Sequence, residues 1–145
     1  MYHYTECGLN NVWLVNGFKD HETRYGKGVA IVDADGLYRV IALGLVNHKP
    51  RLSGGEFRFL RNELDLSQAA LARVLGNDMQ SVARWEKCGR VPKMAERFLR
   101  ALYREHVEGN ARIREIVDRL NEMDQRAQEK MILEETKRGW QARAA

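Results

Sequence analysis

Helix-capping residues divide the middle of the chain into short helices, and this division constrains the fold more than any other feature. Ser53 and Glu56 have the spacing of a capping box, in which each residue satisfies a backbone N–H group at the start of a helix. Ser67 and Asp78 can cap two further helices, because their side chains accept hydrogen bonds from the first helical turn. The sequence therefore predicts a compact bundle of four helices, at about 53–64, 68–75, 79–86 and 93–106.

The second and third of these helices have the pattern of a helix-turn-helix. Two short helices cross sharply only where the crossing residues are small and the turn is tight, and Ala70 and Gly76 meet these requirements. Four apolar residues lie between the two helices: Leu71, Leu75, Val82 and Trp85. If the second helix enters the major groove of DNA, its first turn faces the base edges. The candidate base-reading residues are then Met79, Gln80, Ser81 and Arg84.

Positive charge is concentrated in the same segment. The whole chain has a net charge of +4, which alone does not identify a partner. Residues 1–50 hold five basic and five acidic residues, residues 51–104 hold eleven and six, and residues 105–145 hold eight and nine. The excess therefore lies in the middle segment, where the candidate phosphate contacts are Lys87, Arg90 and Lys93. A solvated helical surface is the alternative interpretation of this charge.

The first fifty residues have a different pattern of polar and apolar residues. Alternation of polar and apolar residues over 11–15 and a β-rich run over 28–32 predict a small antiparallel sheet. Residues 37–45 show helical spacing of apolar side chains, with Asp35 as the expected N-cap. A hairpin that continues the sheet is the alternative, and the helix is favoured.

The C-terminal segment begins with a new helical pattern after Gly109. Its apolar residues are spaced by three and four, which is typical of a coiled-coil seam and equally of a helix packed on its own domain: Ile113, Ile116, Leu120, Met123 and Ala127. Residues 131–140 indicate a strand, a turn and a strand, with a frayed helix as the alternative. The predicted fold class is α+β, in three parts: a β-rich region at 1–50, a helical domain at 51–107 and a C-terminal helix and tail at 108–145.

Several kinds of site find no support in the sequence. A structural zinc site needs four Cys or His ligands at paired spacings, which the candidate ligands do not offer: His3, Cys7, His21, His48 and Cys88. We see no phosphate-binding loop and no nucleophile–base pair, so we expect no metal, no cofactor and no catalysis. Two cysteines are too few for a disulfide scaffold and no apolar run suits a membrane span, so we expect a cytoplasmic protein.

The segment 66–92 resembles Xre/Cro/CI-type (lambda-repressor-like) helix-turn-helix domains. Ten residues match the consensus spacing: Ser67, Gln68, Leu71, Ala72, Leu75, Gly76, Trp85, Glu86, Gly89 and Pro92. The resemblance covers about 53–104, and Asn77 stands where the family has an apolar residue. It implies that Gln68 touches phosphate or helps to orient Gln80, and that Gln80 and its neighbours read bases.

The order of the parts is also similar to MqsA-type antitoxins, in which a small zinc-binding β-domain precedes an Xre-like domain. Those proteins hold zinc with two CxxC pairs, whereas this chain keeps only Cys7-Gly8 of one such pair. Its last forty or so residues have no counterpart in that family. The resemblance implies a toxin as protein partner and does not carry the metal over.

These observations together predict a sequence-specific DNA-binding transcription regulator, a repressor or autoregulator that acts as a homodimer on a palindromic operator in double-stranded DNA. One recognition helix reads only about four base pairs, so we expect two half-sites roughly 34 Å apart. An antitoxin that binds a toxin and represses its own operon is the alternative. A nucleic-acid-modifying enzyme is a third class, for which the sequence offers no metal cluster or acid–base pair.

Overall fold

The computed structural model describes residues 1–109, 115, 118, 119, 122 and 130–143. Within this part the α+β prediction is confirmed, since short hairpins at both ends flank five helices. The strands are β1 (Tyr2–His3), β2 (Trp13–Leu14), β3 (Phe18–Thr23), β4 (Gly26–Ile31), β5 (Leu133–Thr136) and β6 (Gly139–Ala142). The helices are α1 (Ala34–His48), α2 (Gly54–Glu63), α3 (Gln68–Leu75), α4 (Met79–Cys88) and α5 (Lys93–Glu108).

The described strands form three separate antiparallel pairs, β1 with β2, β3 with β4 and β5 with β6. The prediction of one N-terminal sheet was wrong, because a turn at Gly17, with φ of 80°, separates β2 from β3. The backbone N–H of Val32 donates to the Gly17 carbonyl at 2.9 Å and closes the β3–β4 hairpin at its base. The partner strand β3 escaped prediction because it carries mostly charged and polar side chains on both faces.

The helix starts follow the predicted capping chemistry. Glu56 accepts a hydrogen bond from the backbone of Ser53 at 2.8 Å, and the Ser53 hydroxyl accepts one from the backbone of Glu56 at 3.2 Å. Ser67 and Asp78 are single caps, whose side chains accept a hydrogen bond from the backbone N–H of Ala70 in α3 and of Ser81 in α4, so these three predictions are confirmed.

The helical interpretation of residues 37–45 is also confirmed, but its predicted cap was wrong. Asp33 caps α1 by accepting a hydrogen bond from the Gly36 N–H at 3.2 Å, while Asp35 lies inside the first turn. Asp33 takes a left-handed conformation with φ of 48°, which an Asp side chain tolerates by bonding locally. A cap two residues earlier makes α1 longer than the apolar spacing alone indicates.

One hydrophobic core unites all five helices. The largest of its fully buried side chains come from α1, α2, α3, α4 and α5: Val46, Phe57, Leu60, Leu71, Val82 and Leu99. Leu71 and Val82, two of the four apolar residues predicted between α3 and α4, both lie in this core, and Leu75 and Trp85 are partly buried against it. Because Val46 and Leu9 share this core, the packing extends across residue 50, where the sequence suggests a boundary.

The C-terminal residues form the predicted hairpin, with β5 paired to β6 and Leu133 opposite Ala142. The predicted apolar stripe that begins at Ile113 lies outside the described residues. Among the described helices, none has both the length and the apolar character needed to cross a membrane.

Candidate nucleic-acid interface

The outer face of α4 carries three long polar side chains. Gln80, Arg84 and Lys87 follow one another at intervals of four and three residues, which aligns them on one side of a helix. All three are exposed, whereas Val82 on the opposite side is fully buried. The helix therefore presents a polar, cationic face to solvent while its apolar face holds it in the core.

The first turn of α4 holds the other two predicted base-reading residues. Met79 is the first helical residue and is 52% exposed. Ser81 is half-buried, and its hydroxyl accepts a weak hydrogen bond from Arg84 at 3.4 Å. Asp78 accepts a hydrogen bond from the Ser81 backbone at 2.7 Å, and this bond is the main reason that the pKa of the Asp78 carboxyl lies below its usual range. Asp78 therefore stays charged as it caps the helix.

The inner face of α4 contains a buried ion pair that the sequence did not predict. The Glu86 carboxylate binds the Arg61 guanidinium through both oxygens, with N–O distances of 2.8 and 2.9 Å. Both side chains are less than one-tenth exposed. Arg61 also donates to the Leu66 carbonyl at 2.8 Å, in the loop that precedes α3. This one side chain on α2 therefore binds both that loop and α4. Two parallel hydrogen bonds fix orientation as well as distance.

Gln68 joins the same network. It is the first residue of α3, half-buried, and its side-chain amide donates to Glu86 at 3.0 Å. This contact ties the start of α3 to the last turn of α4. Gln68 thus helps to hold the predicted recognition helix, and the structure brings it to Glu86 on the inner side of that helix.

Close backbone packing completes the support of α4. Gly54, the first residue of α2, is buried, and a Cβ atom added there would lie 2.8 Å from the Trp85 carbonyl oxygen and closer still to that of Glu86. The Trp85 ring lies edge-on to Phe57, with ring centroids 6.3 Å apart. Trp85 therefore belongs to the core side of α4, the role that its register with Val82 favours.

The loop after α4 presents the remaining predicted contacts. Gly89 ends the helix with φ of 74°, Arg90 is exposed, and Val91 is buried in the core. Lys93 is exposed at the first residue of α5. The loop thus anchors one apolar side chain and leaves a basic side chain on each side of it.

Of the eight residues predicted as DNA contacts, six are exposed: Met79, Gln80, Arg84, Lys87, Arg90 and Lys93. The other two, Gln68 and Ser81, are half-buried. The six lie on a continuous stretch formed by α4, the following loop and the start of α5. Sequence reasoning missed Arg61 and Gly54, whose partners on α4 are distant in sequence and give no local signal.

Among the described residues, no group of three His, Cys, Asp or Glu side chains is placed to share a metal ion. Cys7 and Cys88 are both free thiols, the first half-buried and the second exposed. Comparisons with protein-family models, with curated proteins and with solved structures found no match for this chain.

Proposed function

We propose that this protein is a sequence-specific DNA-binding transcription regulator that inserts α4 into the major groove. The observation that carries the proposal is the outer face of α4, where Gln80, Arg84 and Lys87 are exposed on a helix whose other side is buried. Gln pairs with the N6 and N7 atoms of adenine and Arg with the O6 and N7 atoms of guanine. A helix is about 10–12 Å wide with its side chains, which matches a groove about 12 Å wide.

Charge around α4 supports contacts with the phosphate backbone. Lys87, Arg90 and Lys93 follow the first turn of α4 and are all exposed. The one acidic side chain in the last turn of α4, Glu86, is paired with Arg61 and turned away from solvent. Phosphate contacts of this kind set the register of the helix on DNA, while Gln80 and Arg84 supply the base preference.

We further propose that the protein acts as a homodimer, a repressor or autoregulator on a palindromic operator. One recognition helix reads about four base pairs, so a second copy one helical turn away, roughly 34 Å, supplies the missing specificity. Such a regulator works in the cytoplasm, where Cys7 and Cys88 remain reduced.

The test is a selection of bound sequences from random double-stranded DNA, followed by affinity measurements on the selected operator. Gln80→Ala and Arg84→Ala should each weaken operator binding by about 1–3 kcal/mol and relax preference at one base pair. Lys87→Ala should weaken binding to all DNA sequences alike and reduce the slope of log affinity against log salt concentration by about one. Arg104→Ala, which removes an exposed arginine from the far end of α5, is the matched control and should have little effect. Equal losses on operator and random DNA for Gln80→Ala and Arg84→Ala would contradict the proposed reading of bases.

An antitoxin is the second candidate, and one observation favours it. A groove of about 420 Å³ lies between α1 and the segment around β2, lined in part by Trp13, Val40 and Ile41. Trp13 is 57% exposed and Val40 is 66% exposed, so this region offers apolar surface to a protein. Co-purification with a protein encoded by the neighbouring gene, lost in Val40→Asp and kept in Arg84→Ala, would support this candidate. Binding that survives Val40→Asp would show that the groove is not the contact.

A further inference from the structure

The loop between α4 and α5 is held from outside the helix-turn-helix by one arginine. Arg51 lies between α1 and α2, and its Nη2 atom donates to the Val91 carbonyl oxygen at 2.8 Å. Its Nε atom lies 3.5 Å from Oε2 of Glu96, in the first turn of α5. Arg51 therefore contacts the loop and the helix that follows it.

Glu96 gives Arg51 a fixed anchor. The Glu96 side chain is only 5% exposed, and its other oxygen binds Arg100 at 2.7 Å. Arg100 in turn donates to the carbonyl oxygens of Val46, at 3.1 Å, and Lys49, at 2.6 Å, at the end of α1. The carboxylate is thus immobilised by a guanidinium that is itself bound to backbone.

The exposed basic residues are close to this anchor in sequence. Val91, whose carbonyl Arg51 holds, directly follows Arg90 and precedes Lys93 by two residues. The buried Val91 side chain fixes the loop to the core, whereas Pro92 has no backbone N–H to donate and caps α5 without a side-chain hydrogen bond. The hydrogen bond from Arg51 adds a second restraint, on the Val91 backbone between the two basic residues.

We infer that Arg51 is a positioning residue for DNA binding, which acts through Val91 to present Arg90 and Lys93 to the phosphate backbone. The inference rests on the proposed function and extends it to a residue outside the helix-turn-helix. Arg51 itself has half of its side chain exposed, so the test must separate positioning from a direct phosphate contact.

The expected effect of Arg51→Ala is a loss of affinity on the order of ten-fold, equal for operator and random DNA, with the preferred sequence unchanged. If Arg90 and Lys93 both lose their phosphates, the salt slope falls by about 1.8, since each contact contributes about 0.9. Arg51→Lys keeps a charge beside Glu96 and hence the fold, but a lysine lacks the planar fork that spans two partners. It should keep the stability of the parent and show most of the affinity loss.

A double-mutant cycle decides between the two roles of Arg51. In a background that already carries Arg90→Ala and Lys93→Ala, a positioning residue has nothing left to position, so Arg51→Ala should change affinity less than about two-fold. A further ten-fold loss in that background would overturn the inference, because it would mean that Arg51 contacts DNA independently.

Arg104→Ala is the matched control. It removes one positive charge and one hydrogen bond between helices, from Arg104 to the Asn47 side chain at 3.1 Å, about 16 Å along α5 from Lys93. An affinity loss equal to that of Arg51→Ala would overturn the inference in favour of a general effect of charge.

If the parent protein selects no sequence and binds no DNA, the proposed function fails and the inference with it. If the parent protein binds DNA but the effects of Arg51→Ala and of the Arg90→Ala and Lys93→Ala pair are additive, only the inference about Arg51 fails.

Discussion

Gly54→Ala is the substitution that tests the packing of α4, the proposed recognition helix, most directly. The added Cβ would lie 2.8 Å from the Trp85 carbonyl oxygen and closer still to that of Glu86, against the 3.4 Å at which ordinary contact begins. Both atoms belong to the backbone of α4 and cannot rotate away. Helix α2 and helix α4 must therefore separate, and that movement strains the ion pair between Glu86 and Arg61.

The expected cost combines three effects. Overpacking in a core costs about 1–3 kcal/mol, and partial loss of a buried ion pair adds to it, because losing one partner costs about 3–5 kcal/mol. Alanine recovers about 0.5–1 kcal/mol through its better helix propensity. We expect Gly54→Ala to lower the free energy of unfolding by about 2–4 kcal/mol, equivalent to roughly 4–16 °C in Tm for a chain of this size.

Gly55→Ala is the matched control, one residue further along the same helix. The nearest atom to a Cβ at Gly55 is the Gly8 carbonyl oxygen at 3.8 Å, an ordinary contact, so the substitution should stabilise by up to about 1 kcal/mol. Urea denaturation of both variants, followed by far-ultraviolet circular dichroism, measures the difference. Similar unfolding free energies for the two variants would refute the close approach of α2 to α4. Operator affinity should fall for Gly54→Ala only.

Two further perturbations test the buried polar groups. Glu86→Gln leaves the Arg61 guanidinium buried without its counter-charge and should destabilise by about 3–5 kcal/mol in urea denaturation, so a loss below about 1 kcal/mol would contradict the pair. Burial is the main reason that the pKa values of Tyr4 and Tyr103 are raised above 10.0. The neutral phenols therefore contribute stability that is fully present below pH 10 and is lost as the pH rises further and they ionise. Tm should accordingly fall above about pH 10, together with the appearance of tyrosinate absorbance; a constant Tm there would argue against buried phenols.

The parts of the fold that the sequence predicts are those decided within a few residues. A capping box links Ser53 to Glu56, and single caps at Ser67 and Asp78 bond to the third residue after them. The C-terminal hairpin is similarly local, since a turn joins β5 directly to β6. Where the competing residue is two positions away, as with Asp33 and Asp35, sequence alone cannot separate the candidates, because both are good caps.

The parts that escape prediction depend on contacts between distant residues. Arg61 and Glu86 are 25 residues apart, and either one alone resembles an ordinary surface charge. Gly54 lies between the two residues of a capping box, and no neighbouring residue in the sequence indicates that α4 packs against it. Likewise, β3 has charged residues on both faces, because it pairs only with β4 among the described strands and needs no apolar face.

The two sides of α4 consequently have different roles, one in stability and the other in the proposed DNA binding. Val82 and Glu86 fix the helix to the core and to Arg61, so substitutions there should change stability first and DNA affinity as a result. Gln80 and Arg84 point away from these contacts, so substitutions there should change base preference at constant stability. Because the supporting contacts lie on the opposite side from the proposed base-reading residues, substitutions on the outer face should leave the position of the helix unchanged. Under the proposed function, this separation would let the helix acquire a new target sequence while the domain that carries it stays folded.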